Sequence, residues 1–354
     1  TATYSGQFGV VISASHNPFY DNGIKFFNKY GRKISRELEA DIENRMDDPI
    51  CPVKASDLGK AFRIDSAAGR YIEYCKSTLK GAHNLKDKII LVDGANGANY
   101  KITPMLLEEL GAKVIRINCD PDGFNINEKS AVLNQSLFKE YAQQYEFDFC
   151  VAVDGDGDRL VISDSKGDVS TGDEIIYTLA LRNKKQNKPG SDCVIGTDMT
   201  NEGIKNALEK IGINFYRVEV GDKYISRELV ENELNLGGES SGHIIQREFS
   251  ESGDANIALI QTLAALEELN LSLSDVKSKI DYKPQVLESL EVKDMEIIGT
   301  SEFKKNIESI KKNYSDSRIS IRKSGTEAKI RIMVESDSEK NIPIIINLIK
   351  ELIS

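Results

Sequence analysis

The stretch FDFCVAVDGDGDRLVISD, residues 147–164, decides how the chain is read. Its opening FDFCVAV is a short apolar, β-prone run, and the polar, glycine-bearing DGDGDR after it breaks that run into a loop. A strand ending this way sets Asp154, Asp156 and Asp158 at alternate loop positions, with Gly155 and Gly157 letting the backbone curl without Cβ clashes. Three carboxylates brought to one point repel unless a cation neutralises them, and an all-oxygen donor set suits Mg²⁺. A calcium EF-hand loop also begins D-x-D-x-D, but it needs Gly at its sixth position and Glu at its twelfth. Arg159 and Ser165 stand there instead. Arg159 has two uses open to it: contact with a phosphate or pairing with one of the aspartates.

Outward from this loop the pattern alternates. Upstream lie strand IILVD, helix ITPMLLEELG, strand KVIRIN and helix SLFKEYAQQY, the alternation of a parallel α/β sheet. DGANGA, after IILVD, spaces its glycines G-x-x-G, so no G-x-G-x-x-G dinucleotide fingerprint forms and a structural turn is expected. Downstream come helix DEIIYTLALRNK, strand CVIGT, helix NEGIKNALEKIG, strand NFYRVEV, helix DKYISRELVEN, a Gly-rich turn LGGESSGHII and helix ANIALIQTLAALEEL. Beyond KPQ the order changes to strand, helix EFKKNIESIKK, strand RISI, loop RKSGTEAK, strand IRIMVE and helix IPIIINLIKELI, an α+β arrangement. The expected fold is therefore α/β: several similar α/β domains with mixed or parallel sheets plus a C-terminal α+β domain, arranged around one central cleft. The expected domains are residues 1–65, 66–168, 169–283 and 284–354.

Ahead of all this, FGVVISA reads as a buried strand, preceded by the tail of a helix and a turn, so the chain is expected to begin in mid-domain. ASHNPFYDNG follows as a loop before the strand IKFF. The loop offers the hydroxyl of Ser15 beside His16 and Asn17, with Pro18 restricting the backbone and Lys25 close behind, a nucleophile with polar support.

Bulk composition limits the function classes. A chain of 354 residues exceeds one ordinary core. No apolar run approaches the about 18 residues that span a bilayer, so no membrane partner is expected. A net charge of −10 repels polyanions, which argues against nucleic acid and requires a locally basic cleft for any small anionic substrate. The five cysteines, widely spaced and without a C-x-x-C pair, outline neither a disulfide framework nor a zinc site and fit a reducing cytoplasm.

Taken together and in order, ASHNPFYDNGIK, DGDGDR, GGESSGH and RKSGTEAKIRIMVE resemble the four active-site loops of the α-D-phosphohexomutase superfamily. The resemblance covers essentially the whole chain, although family members carry a further N-terminal segment. SHNPFYDNGIKFF and R-x-SGTE-x-x-IR-x-MVE are most similar to the branch acting on glucosamine phosphates.

The resemblance implies a set of roles. Ser15 is the phosphorylated serine, and its phosphate joins Asp154, Asp156 and Asp158 around one Mg²⁺. Lys25 is a general acid/base near the reacting hydroxyl, a task for which a lysine needs a lowered pKa to act as base. His16 and Arg159 support catalysis. Glu239 and Ser241 hold sugar hydroxyls, with His243 and Lys223 as further substrate contacts, and Arg322, Ser324, Gly325 and Thr326 grip the spectator phosphate. Three departures bear on specificity: Ser240 where Gln is frequent, Ala328 where Pro is usual, and Lys223 where Arg is common.

The implied activity is an isomerase interconverting glucosamine 6-phosphate and glucosamine 1-phosphate, with glucosamine 1,6-bisphosphate as intermediate and activator. It would feed UDP-N-acetylglucosamine and cell-wall precursor synthesis. The substrate is then a hexosamine phosphate, and a homodimer is left open. The alternatives are a phosphomannomutase/phosphoglucomutase, a metal-dependent sugar phosphatase in which Ser15 is dispensable, and a non-catalytic sugar-phosphate binder.

Overall fold

The computed structural model describes residues 5–81, 83–292, 294–323 and 329–353. It divides into two compact units, residues 1–172 with 241–270, and residues 173–240 with 271–354.

In the first unit, strands Phe8–Ser13 and Gly23–Asn28 pair antiparallel, with Val11 opposite Lys25. The buried strand expected here is corrected by the structure: Phe8 is 69% and Ile12 75% exposed.

The centre of this unit is a five-stranded sheet ordered Lys113–Ile117, Ile89–Asp93, Phe149–Val153, Leu160–Asp164, Val169–Ser170. The first three strands run parallel, Leu160–Asp164 runs antiparallel to them, and Val169–Ser170 reverses once more. The three strands of the upstream alternation are parallel, as their pattern predicted; the sheet as a whole is mixed, because a loop as short as 154–159 can only return the chain antiparallel to the strand it leaves. Phe149–Val153 and Ile89–Asp93 are apolar on both faces because both faces are covered. One core cluster gathers Leu91, Phe138, Cys150 and Val161.

Helix Ala255–Leu269 is apolar almost all round, and every residue from Ala255 to Leu266 is buried. Its Ile257 and Ile260 pack with Ile72, Cys75 and Leu106. Asp254 caps its start, accepting from Ile257 N at 2.9 Å and from Tyr71 Oη at 2.7 Å.

In the second unit, Cys193–Thr197 runs parallel to Asn214–Val218 on one side and to Leu236–Gly238 on the other. The segment read as a Gly-rich turn thus begins with a short strand. Gly237 lies within it because a Cβ there would come 2.9 Å from Ile195 O. Asn201 caps helix Glu202–Lys210 by accepting from Gly203 N.

The C-terminal part is α+β, as its pattern predicted. Strands Gln285–Glu291, Lys329–Ser336 and Ser317–Lys323 form an antiparallel sheet in that order. Helices Ser301–Asn313 and Asn341–Ile353 cover it, and Phe303, Ile307, Ile330, Ile332, Ile345 and Ile349 fill the space between. Among the described residues no helix is long and apolar enough to cross a membrane.

Candidate functional site

The strand Phe149–Val153 delivers Asp154 at its end with 0% exposure. The loop then closes on this side chain: Oδ1 of Asp154 accepts from Asp158 N at 3.1 Å and Arg159 N at 3.0 Å, and Asp154 O accepts from Gly157 N at 3.0 Å. The turn needs a left-handed residue at Gly157, whose φ is +74°. One oxygen from each of Asp154, Asp156 and Asp158 lies within 4.8 Å of the others. Oδ2 of Asp154 and Oδ1 of Asp156 are buried and have no hydrogen-bond partner among the described residues.

Burial first, then the charges of Asp158 and Asp156, push Asp154 up to about 7. Burial acts the same way on Asp158, but a hydrogen bond and charge from His243, with Lys25 and Arg159, outweigh it and hold Asp158 at about 2. Orphaned buried carboxylate oxygens converging at this spacing form a donor set for a hard divalent cation, and the residues present fit one. His243 Nδ1 stands 3.5 Å from Asp158 Oδ1. There it orients a carboxylate of the cluster. Arg159 Nε lies 3.9 Å from Asp154 Oδ2, the pairing use of the two left open by the sequence.

The serine loop, residues 14–22, comes to the same place. Lys25 Nζ pairs with Asp156 Oδ2, and Ser13 Oγ donates to that oxygen at 3.2 Å. Ser15 has a left-handed backbone, φ +53°, which costs a non-glycine residue energy and survives only where neighbours hold it. Its N–H donates to Ser13 Oγ at 2.9 Å and its C=O accepts from Asn127 Nδ2 at 2.8 Å. The Ser15 hydroxyl lies 3.4 Å from His16 Nδ1. Burial, then the charge of Arg159, lowers the pKa of His16 and leaves the imidazole neutral, able to receive a proton. For Lys25, burial favours the amine, but the bond to Asp156 and the charges of all three aspartates prevail and raise its pKa. The lowered value that a lysine base needs is not found in this state; Lys25 is an ammonium.

Glu239, Lys223 and Arg322 lie in the second unit. Glu239 Oε1 accepts from Gly221 N at 3.0 Å, and Ser240 Oγ donates to the buried Asp173 at 2.7 Å. The division between the units falls between Ser240 and Ser241, so Ser241, which is exposed, belongs to the first. Lys223 is exposed with its ammonium over the Tyr224 ring. Arg322 pairs in register with Arg331 on the neighbouring strand, and its Nε is buried without a hydrogen-bond partner among the described residues. Burial and the Arg331 charge lower its pKa against the opposing pull of Glu239 and Asp198. Like charges directly opposite on adjacent strands are unfavourable unless an anion joins them. Ser324, Gly325 and Thr326 lie outside the described residues.

Sequence reading missed Ser13, Asn127, Arg331 and Asp173. Only Arg331 left a signal, since it alternates with the buried Ile330 and Ile332 on its strand.

Four models of the phosphoglucomutase/phosphomannomutase family match in succession: α/β/α domain I over residues 1–49, domain II over 69–167, domain III over 171–281 and the C-terminal domain over 269–343. A phosphoglucosamine mutase of Yersinia enterocolitica is 41% identical over 97% of this chain and 77% of its own length. One of Haemophilus influenzae is 43% identical over 95% of this chain and 76% of its own. Among solved structures, an Aspergillus fumigatus N-acetylphosphoglucosamine mutase in complex with GlcNAc-6P and magnesium superposes with a TM-score of 0.79. At 17% identity, covering 100% of this chain and 90% of that one, it shares the fold.

Proposed function

The chain belongs to the phosphoglucosamine mutases, intramolecular phosphotransferases of the α-D-phosphohexomutase superfamily, and from that premise we propose that it interconverts glucosamine 6-phosphate and glucosamine 1-phosphate through a phosphoserine at Ser15. The observation that carries this reading is the meeting of the serine loop with the three aspartates, through Lys25 and Ser13 on Asp156.

Phospho-Ser15 gives its phosphoryl group to the free hydroxyl of the sugar phosphate. The bond from phosphorus to Oγ breaks as the bond to the sugar oxygen forms, yielding glucosamine 1,6-bisphosphate. The bisphosphate reverses, and Ser15 Oγ takes the other phosphoryl group. In that second half the Ser15 proton has His16 Nδ1 to go to, and the Lys25 ammonium protonates the departing sugar oxygen. The first half runs the same proton transfers backwards, so Lys25 becomes a base only after separating from Asp156.

Asp154, Asp156 and Asp158 would hold the cation, which when bound neutralises charge on the phosphoryl group. Magnesium is favoured by the all-oxygen donors and by the magnesium in the Aspergillus structure's description. Arg322 and Arg331, with Ser324, Gly325 and Thr326, would grip the spectator phosphate, while Glu239, Ser241 and Lys223 meet the sugar. The unpaired thiols support a cytoplasmic setting.

The test is kcat/KM for glucosamine 6-phosphate against glucose 6-phosphate and mannose 6-phosphate, with Mg²⁺ and a trace of bisphosphate. The amino sugar should win by at least about tenfold, and Ser15→Ala should abolish turnover. Equal rates on all three sugars would leave a general phosphohexomutase. Full activity of Ser15→Ala would overturn the phosphoserine.

A further inference from the structure

The loop that carries Ser15 and the loop that carries the aspartates are joined by one side-chain amide. Asn127 Nδ2 donates to Ser15 O and to Asn17 O, each at 2.8 Å, while its Oδ1 accepts from Gly155 N at 2.8 Å. The amide therefore spends both its hydrogens on the serine loop and its oxygen on the aspartate loop. Asn127 is buried, and its own N–H donates to Ala95 O at 2.8 Å, anchoring it to the turn after strand Ile89–Asp93. Its backbone is left-handed, φ +61°, a conformation asparagine tolerates better than most residues. The loops approach so closely that a Cβ on Gly155 would sit 2.5 Å from Ser15 O and 2.6 Å from Asn127 Nδ2.

We infer that Asn127 is a positioning residue for the phosphoryl transfer, fixing the Ser15 peptide, and with it Oγ, against the aspartate cluster. Three features carry this. Ser15 is held in a conformation it would leave if released, because neither of its flanking groups belongs to a helix or strand ladder. The two groups that hold it are Ser13 Oγ on its N–H and Asn127 on its C=O. Ser13 also touches Asp156, but only Asn127 binds the backbone of both loops at once. Transfer between a serine and a sugar oxygen depends on alignment within a fraction of an ångström, so a peptide free to rotate at Ser15 costs rate without touching the substrate.

The inference rests on the phosphoserine reading, so the experiment separates the two. Asn127→Gly keeps the positive φ at no steric cost and removes only the amide. In the full chain with Mg²⁺, kcat on glucosamine 6-phosphate should fall about 10- to 100-fold while KM stays within about threefold. The rate of Ser15 phosphorylation by glucose 1,6-bisphosphate, followed by intact mass, should fall by the same factor. The rise in thermal midpoint on adding Mg²⁺ should persist, since the three carboxylates are intact. Asn127→Asp, which keeps the shape and the bond from Gly155 but sets a carboxylate against two carbonyl oxygens, should be no faster than Asn127→Gly, and it decides the matter if the glycine variant does not fold. A folded variant of either kind with kcat within about twofold of the parent would overturn the inference. So would a parallel fall in folded fraction and rate with an unchanged phosphorylation rate per folded molecule. Ser15→Ala measured alongside tests the premise alone: if it turns over fully, the phosphoserine is wrong whatever Asn127 does.

Discussion

In the first unit one oxygen from each of three carboxylates lies within 4.8 Å of the others, and in the second two arginines, Arg322 and Arg331, stand opposite each other on paired strands. Both arrangements store repulsion that a ligand of opposite sign relieves, yet they are scaffolded differently. The acidic cluster is fixed by backbone N–H groups on Asp154, by Lys25 and Ser13 on Asp156, and by His243 on Asp158. Arg322 has a buried Nε with no such partner among the described residues, and it sits one residue from the end of its strand. A site where bonds are made and broken needs atoms held before the substrate arrives, whereas a site that grips a spectator phosphate can complete itself around the anion.

The comparison breaks most visibly at Asp156. Asp156→Asn removes one donor of the cluster and the partner of Lys25 while leaving the shape, and kcat should fall about 1000-fold, about 4 kcal/mol of transition-state stabilisation. A fall of less than about tenfold, measured at saturating Mg²⁺ and sugar phosphate, would mean that the aspartates are a structural turn.

On the basic side the effect should be smaller and of another kind. Arg331→Met removes one of the two guanidiniums, so KM for glucosamine 6-phosphate should rise about 10- to 100-fold with kcat much less affected, as for the loss of a charge-assisted hydrogen bond to phosphate. A drop in midpoint with KM unchanged would make Arg331 a structural residue.

What the sequence made legible follows the same divide. Chemistry confined to one short loop could be read directly: D-x-D-x-D after an apolar strand was enough to expect a cation cluster, and the structure brings those oxygens together. The C-terminal α+β change of pattern was equally plain, since Ile330, Ile332 and Val334 of IRIMVE and the helical period of IPIIINLIKELI meet in one core. Long-range features were not legible. Asn127 sits in a polar turn with nothing to mark it, and it matters only because the fold brings the serine and aspartate loops together. The protonation state of Lys25 was hidden for a related reason: spacing placed it near Ser15, but only the structure shows Asp156 holding its proton on.

The finest test of the comparison is the pH dependence of stability without metal. Asp154 titrates at about 7 in the folded chain against about 3.9 unfolded, so between those values the folded state binds more protons and this group's contribution falls as pH rises. Asp173 in the second unit, pushed up to about 7 by burial despite its bond from Ser240, acts in the same sense. His16, with its lowered pKa, acts in the opposite one, so the parent's curve alone does not isolate the cluster. The difference between parent and Asp154→Asn does. From pH 5 to pH 8 the metal-free parent should lose thermal midpoint relative to the variant, by a few degrees, at about 2–4 °C per kcal/mol for units of this size. Saturating Mg²⁺ favours the ionised carboxylate and should reverse the order at pH 8, while leaving a matching Asp173→Asn difference in place. A parent-minus-variant difference that is flat with pH, or one that Mg²⁺ does not move, would show that the strain at Asp154 is relieved by something other than a cation.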